Sequence, residues 1–225
     1  MILALRSSIF NSTKPFMILR KVGVSIAVFV FALGILFTSV LRTAAVRFET
    51  NGVKSGEVLA DETYNIDYVL AYPGKILPDS FFWPMKALRD KLWLLITTDK
   101  LKKIELKILF ADKRLGGAVT LFQNGKNEIA LSTLTKAEKY LEEASLSEEQ
   151  LRAKNNDFSE DVNMRLAKAS LKHYEVLRML EGQIPDDMKA TLFASEKIPI
   201  KVYERARNTM LSKGVAPPVN PFKWE

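Results

Sequence analysis

The sequence contains no cysteine and a single histidine, His173, among its 225 residues. The first absence excludes disulfide staples, thiol nucleophiles and cysteine metal sites together. The second leaves no pair of imidazoles to share a metal, and only His173 to serve a serine triad. There is no G-x-S-x-G elbow and no Walker loop. No strand-period segment is long enough to build a sheet, and no internal repeat stands out.

Acidic residues are absent from residues 1–43, which carry Arg6, Lys14, Arg20, Lys21 and Arg42. The formal charge of +7 comes mostly from this end, because the 28 bases of the remainder nearly balance the 26 acids. Such a distribution is a topology signal, since Lys and Arg beside a membrane span stay on the cytoplasmic side. It does not describe a nucleic-acid partner, which would need a basic stripe with interleaved aromatics.

What is present begins with Val22–Leu41, twenty residues without a charge. At about 1.5 Å per residue a helix of this length reaches roughly 30 Å, the hydrocarbon thickness of a bilayer. The expected address is a cell membrane crossed once, with residues 1–21 cytoplasmic and the bulk of the chain outside. Thr43-Ala44-Ala45 offers small residues for a signal peptidase, and Met17 begins a stretch that reads like a signal's charged start. Against cleavage, the apolar run exceeds the roughly 7–15 residues of a signal core. A retained anchor is the preferred reading.

Residues 42–78 read as a linker with a packed end. Tyr72-Pro73-Gly74 fits a type II turn, with Pro fixing φ and Gly accepting a positive one. From residue 79 to 214 the pattern is helical, so the fold class is all-α, an antiparallel bundle behind a transmembrane helix. Asp79 or Ser80 caps a helix over about 82–97, with Pro84 in its first turn. It presents Leu88, Leu92, Leu95 and Ile96, with Trp93 beside them. Asp99 caps a second helix to about residue 123, whose apolar positions Leu101, Ile104, Ile108, Ala111, Leu115, Ala118 and Phe122 step by threes and fours. That is a heptad seam. Asn124-Gly125 stops it.

Ala130, Leu134, Ala137, Leu141 and Ala144 continue the alternation on a helix of about 128–145. Ser147 and Gln150 form a capping box for the next helix, about 148–181. Its stripe of Leu151, Phe158, Val162, Leu166, Ala169, Val176 and Leu180 is interrupted by Asn155 and His173. Pro185 opens a short helix to about Lys197, and Pro199 opens a last one to about Lys213. Residues 215–225 form an extended proline-rich tail.

Each chemically suggestive residue has a plainer reading. His173 is expected at the seam edge, hydrogen-bonded locally. Asn155 either sets helix register or is solvated. Glu142-Glu143, Glu148-Glu149 and Glu160-Asp161 point about 100° apart within each pair, and are expected on solvated faces. Gly116-Gly117 inside a helix costs about 1 kcal/mol per glycine, which suggests close approach of the linker or another helix, or else room for a ligand. Phe81, Phe82 and Trp83 are read as core packing, or else as a docking patch or a group at the membrane interface. In the tail, Pro218, Pro221, Phe222 and Trp224 are the second docking candidate, because extended proline-rich segments are cheap to order on a partner.

One stretch resembles a known domain. It runs Tyr72-Pro73-Gly74, Leu77-Pro78-Asp79-Ser80, Trp83-Pro84-Met85-Lys86, Leu88-Arg89-Asp90, then Asp99, Lys102-Lys103, Glu105-Leu106 and Phe110-Ala111-Asp112-Lys113-Arg114-Leu115. This is similar to an uncharacterised domain of bacterial exported and membrane-anchored helical proteins, over about residues 68–145. The resemblance implies a helical module outside the membrane and brings no catalytic residues. Gly116-Gly117 departs from the alanine-like residues expected there.

The function expected is therefore an interaction or scaffolding module of the cell envelope, docking another envelope protein by surface complementarity. The alternative is a sensor domain that works through a second membrane protein. Neither reading requires an enzyme, a cofactor or a metal, and nucleic acid is not expected as a partner.

Overall fold

The computed structural model describes residues 66–155, 157–222 and Trp224, with Val24, Val28, Gly34 and Ile35 besides. Those four isolated residues are helical, but the uncharged run 22–41 otherwise lies outside the described residues, as does the linker 42–65. Among the described residues no helix is long and apolar enough to cross a membrane. The chain divides into residues 1–49 and 50–225, and the second unit carries the architecture that follows.

Among the described residues there are five helices and no strand: α1 Trp83–Ile96, α2 Lys100–Gln123, α3 Asn127–Asn155, α4 Glu160–Leu180 and α5 Asp186–Ser212. The all-α expectation holds for this part of the chain. Asp99 caps α2, its carboxylate accepting from the Lys102 amide at 3.2 Å. Gly125 and Gly214 take positive φ just beyond α2 and α5. The short link 124–126 folds α2 and α3 into an antiparallel hairpin. Its seam is the one read from the sequence. Ile108, Ala111, Leu115 and Ala118 of α2 are completely buried, as are Ala130, Leu134, Ala137, Leu141 and Ala144 of α3.

Two helix boundaries differ from the sequence reading. α3 does not stop near residue 145; it runs on to Asn155, past the expected capping box. The Ser147 hydroxyl donates to the Glu143 carbonyl at 2.6 Å and accepts from Lys107 Nζ at 2.8 Å, so it bonds back along its helix instead of starting a new one. The true cap lies at Ser159, whose Oγ accepts from the Val162 amide. Asn155 is exposed at the end of α3 and sets no register.

Likewise α5 is one helix, with Pro199 inside it. A mid-helix proline costs about 3 kcal/mol. Here Pro199 itself is buried, and Leu192, Val202, Tyr203 and Ala206 bury the helix on both sides of it. Tertiary packing outweighs the local penalty.

The core has two halves. One contains Ile104, Ile108, Ala111, Leu141, Ala144, Leu166 and Val202, and the other Leu115, Leu121, Leu134, Ala137, Leu177 and Leu192. Residues 66–78 lie across both, with Ile66 and Tyr68 against the first and Leu70 and Leu77 against the second. This explains Gly116-Gly117. A Cβ on Gly116 would stand 3.4 Å from the Pro73 ring, and one on Gly117 would stand 3.5 Å from the Leu77 side chain. The glycines form the floor on which the turn rests. Gly74 takes φ +81°, as the Tyr72-Pro73-Gly74 turn requires, and Lys86 Nζ donates to the Pro73 and Ile76 carbonyls at 2.6 and 2.8 Å.

Candidate functional site

The two segments singled out for docking have opposite fates. Of the described helices, α1 touches only α2, so much of its circumference faces solvent. Its buried residues are Asp90, held by Arg89 at 2.8 Å, and Trp93, edge-on to Phe110 with ring centres 6.0 Å apart. The outward side is apolar. Phe81 is 90 % exposed, Leu95 74 %, Met85 59 %, Phe82 57 % and Leu88 50 %. Leu92 and Trp83 are half-buried, and Lys86 lies over the Trp83 ring.

Leu88, Leu95 and Ile96 thus do not join the core as their helical spacing suggested. Phe81, Met85, Leu88, Leu92 and Leu95 step by four, three, four and three. This heptad stripe has no partner within the described residues, and the spacing suits a second helix. Scattered exposed apolar residues are ordinary, but a continuous stripe is a candidate interaction surface. Met85 was the one member that sequence reasoning passed over, although the period was available to find it.

The tail is extended, as expected, but its aromatic rings turn inward. Tyr203 donates its phenol proton to the Pro218 carbonyl at 2.7 Å. Phe222 and Trp224 lie stacked in parallel, and both meet Tyr174 edge-on, at 4.8 and 5.2 Å between ring centres. Trp224 also meets Tyr203 at 5.3 Å. Pro218 and Pro221 are half-buried in the same wrap. These rings are used within the molecule, so the tail docks on its own bundle.

His173 is neither at a seam edge nor locally bonded. It is completely buried, with Nδ1 2.9 Å from Glu138 Oε1 of α3 and Nε2 3.2 Å from Asp112 Oδ1 of α2. Asp112 Oδ2 accepts from the Tyr68 hydroxyl at 2.7 Å, which ties the N-terminal segment into the same network. Burial opposes charging of the ring, but the Glu138 and Asp112 carboxylates outweigh it and hold the pKa at about 9. Burial, reinforced by Asp112, pushes the Tyr68 phenol well above its ordinary value.

The imidazolium is therefore clamped between carboxylates on opposite ring nitrogens. These three groups cannot converge on one metal ion, and no other such set exists among the described residues. In the chain the layer falls between the two core halves, after Ala111 and before Leu115, and after Ala137 and before Leu141. Asp112, Glu138 and His173 are almost wholly buried, and Tyr68 is half-buried at the edge of the layer. Glu138 and Asp112 carry no special signal of this role, since both look like ordinary surface charges on amphipathic helices.

The acidic pairs were expected on solvated faces, and Glu148 is an exception. It is buried, accepting from Asn163 Nδ2 at 2.9 Å, with Arg152 Nε 3.4 Å away.

Residues 75–187 match the domain of unknown function DUF5667, which spans half of the chain. No curated protein and no solved structure matches it. This chain belongs to the DUF5667 family.

Proposed function

We propose that this DUF5667 member is a single-pass, membrane-anchored helical module that stands outside the cell membrane and scaffolds another envelope protein. The observation that carries the reading is the heptad stripe Phe81, Met85, Leu88, Leu92 and Leu95, which runs from the turn before α1 along that helix and is largely exposed. A helix from a partner would complete that stripe as α3 completes the seam of α2. The uncharged run Val22–Leu41 and the acid-free residues before it support the anchor and its orientation. Exported and membrane-anchored character is also what the resemblance of the Tyr72–Leu115 motifs implies.

The absence of native cysteine makes the topology directly testable. Val219 is 87 % exposed, so Val219→Cys gives a single reactive site on the tail. A membrane-impermeant maleimide is expected to label it in intact cells. Labelling only after the membrane is opened would overturn the location. For the docking role, Phe81→Ser with Leu88→Ser and Leu95→Ser should release the envelope partner recovered with the wild-type chain, without unfolding the bundle. Retention of that partner by the triple variant would overturn the role of α1.

A further inference from the structure

A second surface lies away from α1. Between α3, α4 and α5 lies a cleft of about 290 Å³ with a polar floor. Ser145, Glu148, Asn163 and Thr209 line it, and all four are more than nine-tenths buried. Polar side chains at that depth are normally satisfied by the protein. Asn163 is the exception among the four, its Oδ1 buried without a hydrogen-bond partner. Arg152 Nε and Arg205 Nη1, on side chains that are otherwise partly exposed, also lack a hydrogen-bond partner.

The orientation of Asn163 is fixed by its own bonds. Its Nδ2 donates to Glu148 Oε1 and to the Ser159 carbonyl, both at 2.9 Å. Turning the amide over would place its oxygen against two other acceptors, so Oδ1 must stay where it is. It needs a donor from elsewhere. The guanidiniums need acceptors. Arg152 Nε stands 3.4 Å from Glu148 Oε1 without bonding geometry, and Arg205 Nε is 4.0 Å from Glu149 Oε2. Both arginines are loosely held and keep donors free for a planar acceptor such as a carboxylate.

The formal charges of the cleft cancel, with Glu148 and Glu149 against Arg152 and Arg205. A simple anion would meet two carboxylates, and a simple cation two guanidiniums. A neutral molecule with separated charges meets neither objection. We propose that this cleft binds a free α-amino acid, its carboxylate on Arg152 and Arg205 and its ammonium on Asn163 Oδ1 and Glu148. The volume lies at the lower limit of small-molecule sites, which suits a ligand of that size. An occupied cleft would also give the sensor alternative the input it requires.

The test is calorimetric titration of the full chain, in detergent micelles, with each standard L-amino acid as probe. Acetate and methylammonium serve as single-charge controls. At least one amino acid is expected to bind saturably, with Kd of about 1 mM or tighter. Each control should bind at least about tenfold more weakly, because it satisfies one half of the site. Arg205→Ala should weaken the amino acid about tenfold or more, and Arg205→Lys should fall between, since it keeps charge but loses the fork. Arg205 is about one-third exposed, and the circular dichroism of both variants should match wild type. No saturable heat from any amino acid, acetate binding as tightly as the best of them, or unchanged binding in a folded Arg205→Ala would each overturn the proposal.

Discussion

Phe81-Phe82-Trp83 and Phe222-Lys223-Trp224 are similar in composition, each a short aromatic group next to a proline. Their surroundings differ. The tail passes over α4 and α5, where Tyr174 and Tyr203 offer ring faces and a phenol donor for the Pro218 carbonyl. Among the described residues the start of α1 has no such platform, because α1 meets a single neighbouring helix. An aromatic group becomes core or surface according to what its neighbours supply. Composition alone does not separate the two cases.

The platform beneath the tail and the polar layer share α4, where Tyr174 follows His173 directly. The strongest way to disturb the comparison is therefore His173→Ala, which leaves Asp112 and Glu138 as buried carboxylates without their cation. A loss of about 3–5 kcal/mol is expected in urea denaturation. Replacing all three by apolar residues, as in His173→Leu with Asp112→Leu and Glu138→Leu, should recover much of that loss. The cost would appear in sharpness: broad or duplicated amide resonances in α2–α4 if the layer sets the register between helices.

Changes of pH act on the same layer, and on Lys86 of α1 with the opposite sign. Burial lowers the Lys86 pKa to about 8 from 10.5, so stability is gained as pH rises between those values. The folded pKa of His173, about 9, exceeds its ordinary 6.5, so the folded state holds a proton that the unfolded chain releases between those values. That stabilisation is complete below pH 6.5 and is lost as pH rises through 9. Burial, then the hydrogen bond with Glu181, raises Glu196 to about 7 from 4.5. Its contribution has the same sign and is lost as pH rises through 7. The urea midpoint should fall from pH 5 to about pH 8, above which the gain from Lys86 opposes the remaining His173 loss. His173→Gln should flatten the fall that begins at pH 6.5.

Smaller effects separate the two aromatic groups directly. Trp224→Ala removes a half-buried ring from its platform and should cost about 2 kcal/mol, below the range for fully buried aromatics. Gly116→Ala places a methyl at ordinary contact distance from Pro73 and gains helix propensity, so a change between zero and about 1 kcal/mol in favour of folding is expected. Gly116→Leu should instead lift the 66–78 segment and destabilise. Phe81→Ser should change stability by less than about 0.5 kcal/mol, because Phe81 makes little use of the fold.

How much of this was legible in the sequence depended on the range of the forces involved. The α2 and α3 seams, the Asp99 cap and the Gly125 stop are local patterns, and the structure has them where the residues indicate. Ser147-Gln150 and Pro199 are also local signals, yet both were overridden, because long helices with a buried stripe tolerate a polar or proline position that packing supports. The pairing of His173 with residues 35 and 61 positions away leaves no local trace. Nor does the convergence of Arg152, Asn163 and Arg205 from three helices. The outward face of α1 was written in a readable period. Its exposure was not, since that depends on how many helices surround it.

The central claim, that the α1 stripe meets a protein partner at the envelope, is tested most directly by site-specific photo-crosslinking in native membranes. A photoreactive residue at Leu88 or Phe81 is expected to give one discrete protein adduct. The same probe at Lys201, exposed on α5, should give none. Equal adducts at both faces, or capture of lipid alone from Leu88, would contradict the account.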